Sequence, residues 1–469
     1  MADDTEDDVY VEDGSGTTEV EEEEKVCEHD LVDPVTRLCL ECKGYVIAED
    51  EPLCQYRGGM AGTGKTFIAQ RQQEADPRVV LLATTGIAAV NLGGARTINS
   101  QLRYYDTADM ESKFTVGELG SRLLQMGGSG LTRLVVDEAS MMDGFQLDCL
   151  MLGIDQANES LDKKGEAPIG VTLVGDFCQL PPVKAPFVFE RPSWARFKDH
   201  VTILRDVKRQ EDPAFIAALV AARAGNVAGC LPTLASRFRD VIDFGYDGTT
   251  ILATNAEVDR LNALRLGKLT KPEVTLPSFR AGLEDGGWKH IPKELKLKEG
   301  ALVMLLSNKT VEGELVYANG DLGTIERIQT PTRYMDPASA HIDNNPDIYP
   351  VGQVWVKLKR NGLVHAVDPL SRIRGQATGA KGVKASSSTR LGWIRYQPIR
   401  VAYASTVHKS QGLTLDRAQI DIQHHFWTSP GMVYVGLSRA RTLEGLTIVG
   451  RPEQLALRLT VNPLVKDWV

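Results

Sequence analysis

The segment Gly59-Met60-Ala61-Gly62-Thr63-Gly64-Lys65-Thr66 constrains this chain more than any other stretch. It is a Walker A phosphate loop. Gly59, Gly62 and Gly64 let the backbone come close to a polyphosphate, and the loop N–H groups, that of Thr63 included, can cradle it. Lys65 reaches the β- and γ-phosphates, and the Thr66 hydroxyl is a ligand for Mg²⁺. Alone, the loop says that a nucleoside triphosphate binds. It does not say what the hydrolysis drives.

The surrounding pattern gives the fold class. RVVLLATTG, LTRLVVDEAS and GVTLVGDFCQL are apolar runs that end in small or polar residues, as buried strands do. Strands alternating with helical stretches such as 211–223 predict an α/β fold with a parallel sheet, whose ligands sit at the carboxyl edge. A second set starts near residue 199. TTILATN, GALVMLLSN, PIRVAYAS and LTIVG read as its strands, with helices at 256–266 and 431–441. Between its halves, GDLGTIERI and QVWVKLKR alternate like exposed strands and predict a small β-barrel over 324–397. GQATGAKGVKASSSTR within it reads as a flexible basic loop.

The acids and arginines that follow the loop carry the chemistry. Asp137 and Glu138 end an apolar strand, where Asp137 can hold Mg²⁺ through water and Glu138 can deprotonate the attacking water. Gln179 can bond both γ-phosphate and water. Arg209 and Arg439 are candidates to stabilise charge on the transferring phosphoryl group. Thr84, Thr85 and Gly86 end a strand in hydroxyls and backbone N–H groups that can grip phosphates without reading sequence. Thr97, Asn99 and Ser100 offer more of the same. Thr406, His408, Lys409, Ser410 and Gln411 form a second polar cluster in the other half.

These motifs, namely GGMAGTGKT, ATTGIAAVNLGGARTINS, LVVDEASMMD, VGDFCQLPPV, VKRQ, NGDLGTI, AYASTVHKSQGLTLD and VYVGLSRAR, run in order over residues 58–446. The chain resembles superfamily 1 DNA helicases of the B, or 5′-to-3′, branch, close to the RecD-like and phage Dda-like enzymes. The resemblance implies two RecA-like P-loop domains with ATP between them and a small SH3-like barrel inserted in the second. The expected boundaries are a first domain over 51–198, with a short insert near 101–128, and a second over 199–323 and 398–469. It implies ATP and Mg²⁺ as cofactors, with Lys65, Glu138, Gln179, Arg209 and Arg439 catalytic and Gly412 added to the nucleotide contacts. Thr85, Thr97, Asn99, Ser100, Thr406, His408, Lys409 and Ser410 would bind DNA. The expected activity is ATP-dependent unwinding of forked duplex by movement along single-stranded DNA, in replication, repair or recombination. The alternatives are a translocase that remodels protein–DNA complexes without unwinding, and a zinc-dependent adaptor with a vestigial motor.

One departure stands out. Relatives read adenine with a glutamine on a helix before the phosphate loop. Here Gln55 is too close to the loop to be an obvious stand-in, so relaxed nucleotide choice is expected. Residues 351–400 carry ten Lys or Arg against Asp368 alone, a candidate phosphate-tracking surface. Trp355, Trp393 and Tyr396 are candidates to stack bases, with core packing in the barrel the stronger expectation for the two tryptophans, and Tyr104 or Tyr105 is a candidate to meet a duplex fork.

The N-terminal region adds two elements. Residues 1–25 hold twelve acids and one Lys within a chain of net charge −9. They read as a disordered tail that solubilises, competes with nucleic acid for a basic groove, or recruits single-strand-binding or replication proteins. Over 26–50, Cys27, His29, Cys39 and Cys42 have the ligand types of a structural Zn²⁺ site, with Cys54 as a substitute for His29. No apolar run reaches the roughly 20 residues of a membrane span. The seven scattered cysteines suit a reducing compartment, so the expectation is cytoplasmic, in the host if a phage encodes the chain.

Overall fold

The structure, a computed structural model, describes residues 31–282 apart from 49–50, 86–87, 90–91 and 93–94. It also describes 291–469 apart from 308, 312–313, 318–320, 334, 342–344 and 376–389. The acidic tail, Cys27, His29, Gly86 and most of the basic loop 375–390 lie outside the described residues.

The first lobe is built on six parallel strands, β1 (Cys54–Gly59), β2 (Val79–Ala83), β3 (Arg96–Thr97), β4 (Arg133–Asp137), β5 (Gly170–Gly175) and β6 (Val201–Leu204). Their order is β3-β2-β4-β5-β1-β6. The strand β4, RLVVD, and β5, GVTLVG, are buried throughout, as a sheet covered on both faces requires. This order sets the carboxyl ends of β4, β5 and β1 side by side, so Asp137, Asp176 and the phosphate loop meet. The insert near 101–128 contains two helices, Thr107–Thr115 and Glu118–Gly127. They pack on Gly144–Asp162 through Met110, Leu119, Leu123, Leu150 and Ile154.

The second lobe holds another parallel sheet. Its strands β7 (Phe238–Arg239) and β8 (Thr249–Leu252) precede a long antiparallel segment. That segment comprises β9 (Val274–Pro277), β10 (Phe279–Gly282), β11 (Glu294–Leu297), β12 (Leu302–Leu305), β13 (Lys309–Val311) and β14 (Glu314–Tyr317). It continues with β15 (Leu322–Gln329), β16 (Gln353–Leu358), β17 (Val364–Val367), β18 (Leu370–Gly375), β19 (Arg390–Tyr396) and β20 (Ile399–Val401). The parallel sheet then resumes with β21 (Ala404–Thr406), β22 (Ala418–Asp421) and β23 (Leu446–Val449), in the order β21-β8-β22-β23-β7.

The antiparallel segment begins earlier than the sequence pattern suggests. GALVMLLSN contributes β12, which pairs with β15 and β20 in a five-stranded antiparallel sheet ordered β17-β16-β15-β12-β20. It is therefore not a strand of the parallel sheet. PIRVAYAS is divided: β20 stays with β12, and only β21 joins β8. All four residues of β12 are buried, and a short run buried on both faces carries no periodicity that distinguishes the two environments.

Two contacts tie the lobes together. Helix Pro213–Arg223 places Phe215, Ala218, Leu219 and Ala222 in the second core, which also takes in Met60 and Ala61 of the phosphate loop. The 3-10 turn Pro463–Trp468 returns to the first lobe, where Val465 is wholly buried. Trp468 sits edge-on to Tyr56, Phe177 and Trp194, with centroids 5.3, 4.8 and 5.7 Å away. Among the described residues no helix is long and apolar enough to cross a membrane.

Candidate nucleotide and nucleic-acid site

The phosphate loop leaves β1 and enters helix Lys65–Ala75. At Gly62, φ is +87°, and a Cβ would lie 2.7 Å from Cβ of Arg209. Only glycine gives the loop this conformation and this approach. Lys65 Nζ donates to the carbonyls of Gly59 at 2.7 Å and Met60 at 2.9 Å. Burial lowers its pKa. Thr63 Oγ1 donates to the Met60 carbonyl at 3.0 Å.

Thr66 Oγ1 donates to Asp137 Oδ2 at 2.9 Å, and Glu138 N–H donates to Asp137 Oδ1 at 2.7 Å. Hydroxyl and carboxylate oxygen side by side suit a small hard cation. Glu138 has φ 56°, a left-handed conformation that costs a non-glycine residue on the order of 1 kcal/mol. Burial, with Asp137 adding, pushes the Glu138 carboxyl up to about 7; burial also raises Asp137.

Across the cleft, Gln411 Nε2 donates to Glu138 Oε2 at 2.8 Å. The hydroxyl of Tyr434 accepts from the Ala61 N–H and donates to Asp176 Oδ2 at 3.1 Å. Asp176 also pairs with Arg223 at 2.9 Å, its own side chain fully buried, and accepts from Gln179 Nε2 at 3.3 Å. Arg209 Nη1 donates to the Ser438 carbonyl at 3.1 Å, and Gln210 Nε2 to that of Ala440 at 2.9 Å. Arg439 donates to the carbonyls of Val435 and Leu413. Burial foremost, then nearby Arg209, lowers its pKa to about 9. Among the described residues, no donor reaches the buried Oε1 of Gln179, Gln210 or Gln411. Three acceptors lacking partners around one cleft leave room for water or ligand donors.

Gln55 sits apart from this cleft chemistry. Its Nε2 donates to Glu51 Oε1 at 2.8 Å and Thr172 Oγ1 at 3.1 Å. Gly412 has φ +79° in the loop between Gln411 and Leu413.

The nucleic-acid candidates divide by exposure. In the first lobe, Thr84 Oγ1 donates to the Glu138 carbonyl and Thr85 Oγ1 accepts from the Ala88 N–H. Thr97 caps helix Ile98–Leu102 by accepting from the exposed Ser100, and Asn99 bonds the Tyr105 carbonyl. In the second lobe, His408 is exposed, and Lys409 Nζ bonds Asn255 Oδ1 at 3.0 Å. Thr406 is buried, its hydroxyl capping Val407–Ser410. Ser410 faces inward: it is fully buried and its hydroxyl donates to the Val407 carbonyl at 2.8 Å. This corrects the expected place of Ser410, and of the buried Thr406, on the nucleic-acid surface.

The aromatic candidates divide as well: Tyr396 and Tyr104 are corrected as surface groups, whereas Trp393 takes the core role expected of the tryptophans. Trp393 and Tyr396 are buried in satellite cores. Tyr104 is buried, with its hydroxyl on Gln146, whereas Tyr105 is half exposed. Trp355 is partly exposed and lies under the Arg327 guanidinium at 3.7 Å. Cys54 opens β1 and packs against the first core, so it belongs to the sheet. Cys39 is buried, and Gly44 N–H donates to Cys42 Sγ at 3.3 Å. Bridges Val32–Cys39 and Leu38–Tyr45 shape this element, which packs on Ile68 and Leu204. Among the described residues no three His, Cys, Asp or Glu side chains are grouped to hold a metal ion.

Reading the sequence singled out neither Tyr434, Asp176, Arg223 nor Gln210 as functional. Three of them lie inside quoted motifs, but a buried tyrosine or aspartate within an apolar stretch resembles packing until its partner in the other lobe is seen.

A domain profile described as "AAA domain" matches residues 46–241. The chain is 28% identical to the ATP-dependent DNA helicase Pif1 of Bdellovibrio bacteriovorus, over 84% of this chain and 83% of that protein. It is 28% identical to the ATP-dependent DNA helicase PIF1 of Emericella nidulans, over 83% of this chain but only 57% of that longer protein. The structure of Bacteroides Pif1 bound to single-stranded DNA is similar with a TM-score of 0.60 and 25% identity, covering 89% of this chain and 92% of that one.

Proposed function

We propose that this chain is a Pif1-like superfamily 1B DNA helicase that couples Mg-ATP hydrolysis in the interlobe cleft to 5′-to-3′ movement along single-stranded DNA and unwinding of forked duplex. The observation that carries the coupling is the 2.8 Å bond from Gln411 to Glu138. The loop bearing exposed His408 and Lys409 thus touches the carboxylate suited to activate water. In this reading Lys65, Thr63 and the loop glycines bind phosphates, as does Gly412 on the facing lobe. Gln179, Arg209 and Arg439 respond to the γ-phosphate. The paired oxygens of Thr66 and Asp137 support them as the holders of Mg²⁺, which would neutralise phosphate charge. Thr85, Thr97, Asn99 and Ser100 grip the strand from the first lobe, and His408 and Lys409 from the second. The antiparallel pairing of β12, β15, β16, β17 and β20 supports an SH3-like insert in the second lobe.

The test is ATPase and unwinding on forks with one free 5′ or one free 3′ tail. Stimulation by single strands, with unwinding from the 5′ tail only, is the expected result. Turnover unchanged by oligonucleotide would defeat the motor reading; stimulation without unwinding would favour the translocase.

The Cys39–Cys42 turn also supports a structural Zn²⁺ site completed by Cys27 and His29. An N–H donated to a cysteine sulfur is a common support for a metal thiolate. One zinc per chain in metal analysis, lost in Cys39→Ala, is expected; a metal-free wild type refutes the site.

A further inference from the structure

We propose that His424, His425 and Phe426 form a base-stacking platform for single-stranded DNA, an additional contact on the second lobe. This rests on the nucleic-acid reading above and extends it to the bases. The three rings cluster: His424 stacks on His425 with centroids 4.4 Å apart and on Phe426 at 4.9 Å, while His425 and Phe426 are tilted to each other at 4.3 Å. Phe426 is 54% exposed and His425 is exposed beside it. Leaving a phenyl ring this exposed forfeits part of its burial energy.

The turn that presents the rings is held firmly. Trp427, the next residue, is wholly buried in the second core. Phe426 N–H donates to His424 Nδ1 at 3.2 Å. Arg458 Nη2 donates to the Gln423 carbonyl at 2.8 Å, which brings a cation beneath the turn. The platform is therefore ordered before any ligand arrives, so little entropy is lost when one binds.

Its place in the fold selects the ligand. The carboxyl ends of β21, β8 and β22 are neighbours in the sheet. They lead in turn to His408 and Lys409, to Asn255, and to His424–Phe426. Contacts join the row: Lys409 bonds Asn255, Glu257 in the same helix caps it through Thr254, and Glu257 Oε1 lies 3.7 Å from His424 Nε2. A strand whose phosphates meet Lys409 and Asn255 would reach the rings after crossing β8. Stacking on aromatic faces suits any base, as a motor that moves along arbitrary sequence requires.

The test is fluorescence anisotropy with oligo-dT of graded length, alongside single abasic replacements moved along the longest oligonucleotide. Stacking is worth about 1–3 kcal/mol per base, so Phe426→Ala should weaken binding of the longest oligonucleotide roughly 5- to 150-fold. Phe426→Trp should retain it, and the shortest oligonucleotides should lose little. One abasic position should weaken the wild type and leave Phe426→Ala unaffected, a coupling that mere loss of structure would not produce. Equal affinities for wild type and Phe426→Ala on every length, with matching abasic profiles, overturn the platform while the motor reading stands. A wild type that binds no oligonucleotide overturns both.

Discussion

The Tyr434 hydroxyl accepts a hydrogen bond from the Ala61 backbone N–H at 2.9 Å, so a helix of the second lobe holds the phosphate loop of the first. The same oxygen donates to Asp176, and both side chains are buried. Any movement of the loop on nucleotide binding must stretch or rotate this contact. Tyr434 is thus a positioning residue that acts through the loop and Asp176.

Tyr434→Phe keeps the ring and removes both bonds, leaving a buried N–H and a buried carboxylate short of a partner. An unsatisfied buried group costs about 1–3 kcal/mol. The variant should melt earlier, and DNA should stimulate its ATPase less than it does the wild type while KM for ATP stays close. An unaltered stimulation ratio would show that Tyr434 only fills space.

Lys65→Ala and Glu138→Gln separate binding from chemistry. Without the Lys65 ammonium, hydrolysis should be lost. Glu138→Gln should still bind ATP but turn over roughly 10²- to 10⁴-fold more slowly, the usual contribution of a positioned base. Equilibrium binding of a fluorescent ATP analogue and single-turnover hydrolysis read the two quantities. Turnover by Glu138→Gln near the wild-type rate would assign the base elsewhere.

The Asp176–Arg223 pair joins the lobes from within, with side-chain exposures of 0% and 12%. Removing one partner of a buried pair strands the other charge at a cost of about 3–5 kcal/mol. Arg223→Ala should therefore be far less stable to urea than Arg71→Ala, which breaks an exposed pair with Glu74. Equal losses would mean that solvent reaches Asp176 freely.

Nucleotide choice should be loose. Both hydrogens of the Gln55 amide are engaged by Glu51 and Thr172, so this residue has no N–H left to donate to a base edge. Sites built to bond a particular group reject its analogue by about 10⁴-fold or more. Here kcat/KM for GTP should fall within about tenfold of that for ATP. A gap beyond about a hundredfold would reveal a base-reading group elsewhere.

How much of this was legible beforehand depends on whether a residue's partner is near in sequence or far. The phosphate loop could be placed from its contiguous glycines and lysine, and Asp137-Glu138 and Gln179 because each follows an apolar run at a strand's carboxyl end. Sheet order then brings those ends together. The roles of Tyr434, Asp176 and Arg223 were hidden, because their partners lie in another lobe and no local spacing records that. The sequence pattern puts β12 in the parallel sheet, since LVML buried on both faces offers no alternation to read, whereas it pairs with β15 and β20. The resemblance places Ser410 on the nucleic-acid surface, yet a hydroxyl that bonds a carbonyl three residues back needs no water.

Trp468 and Val465 complete the packing around Tyr56, Phe177 and Trp194, although the first sheet ends at Leu204. A fragment cut after Leu204 would keep all six strands and still expose that aromatic nest to solvent. Attempts to express the amino-terminal half by itself should yield a sticky, loosely packed species. Calorimetry on the intact polypeptide should show the halves melting in one cooperative event.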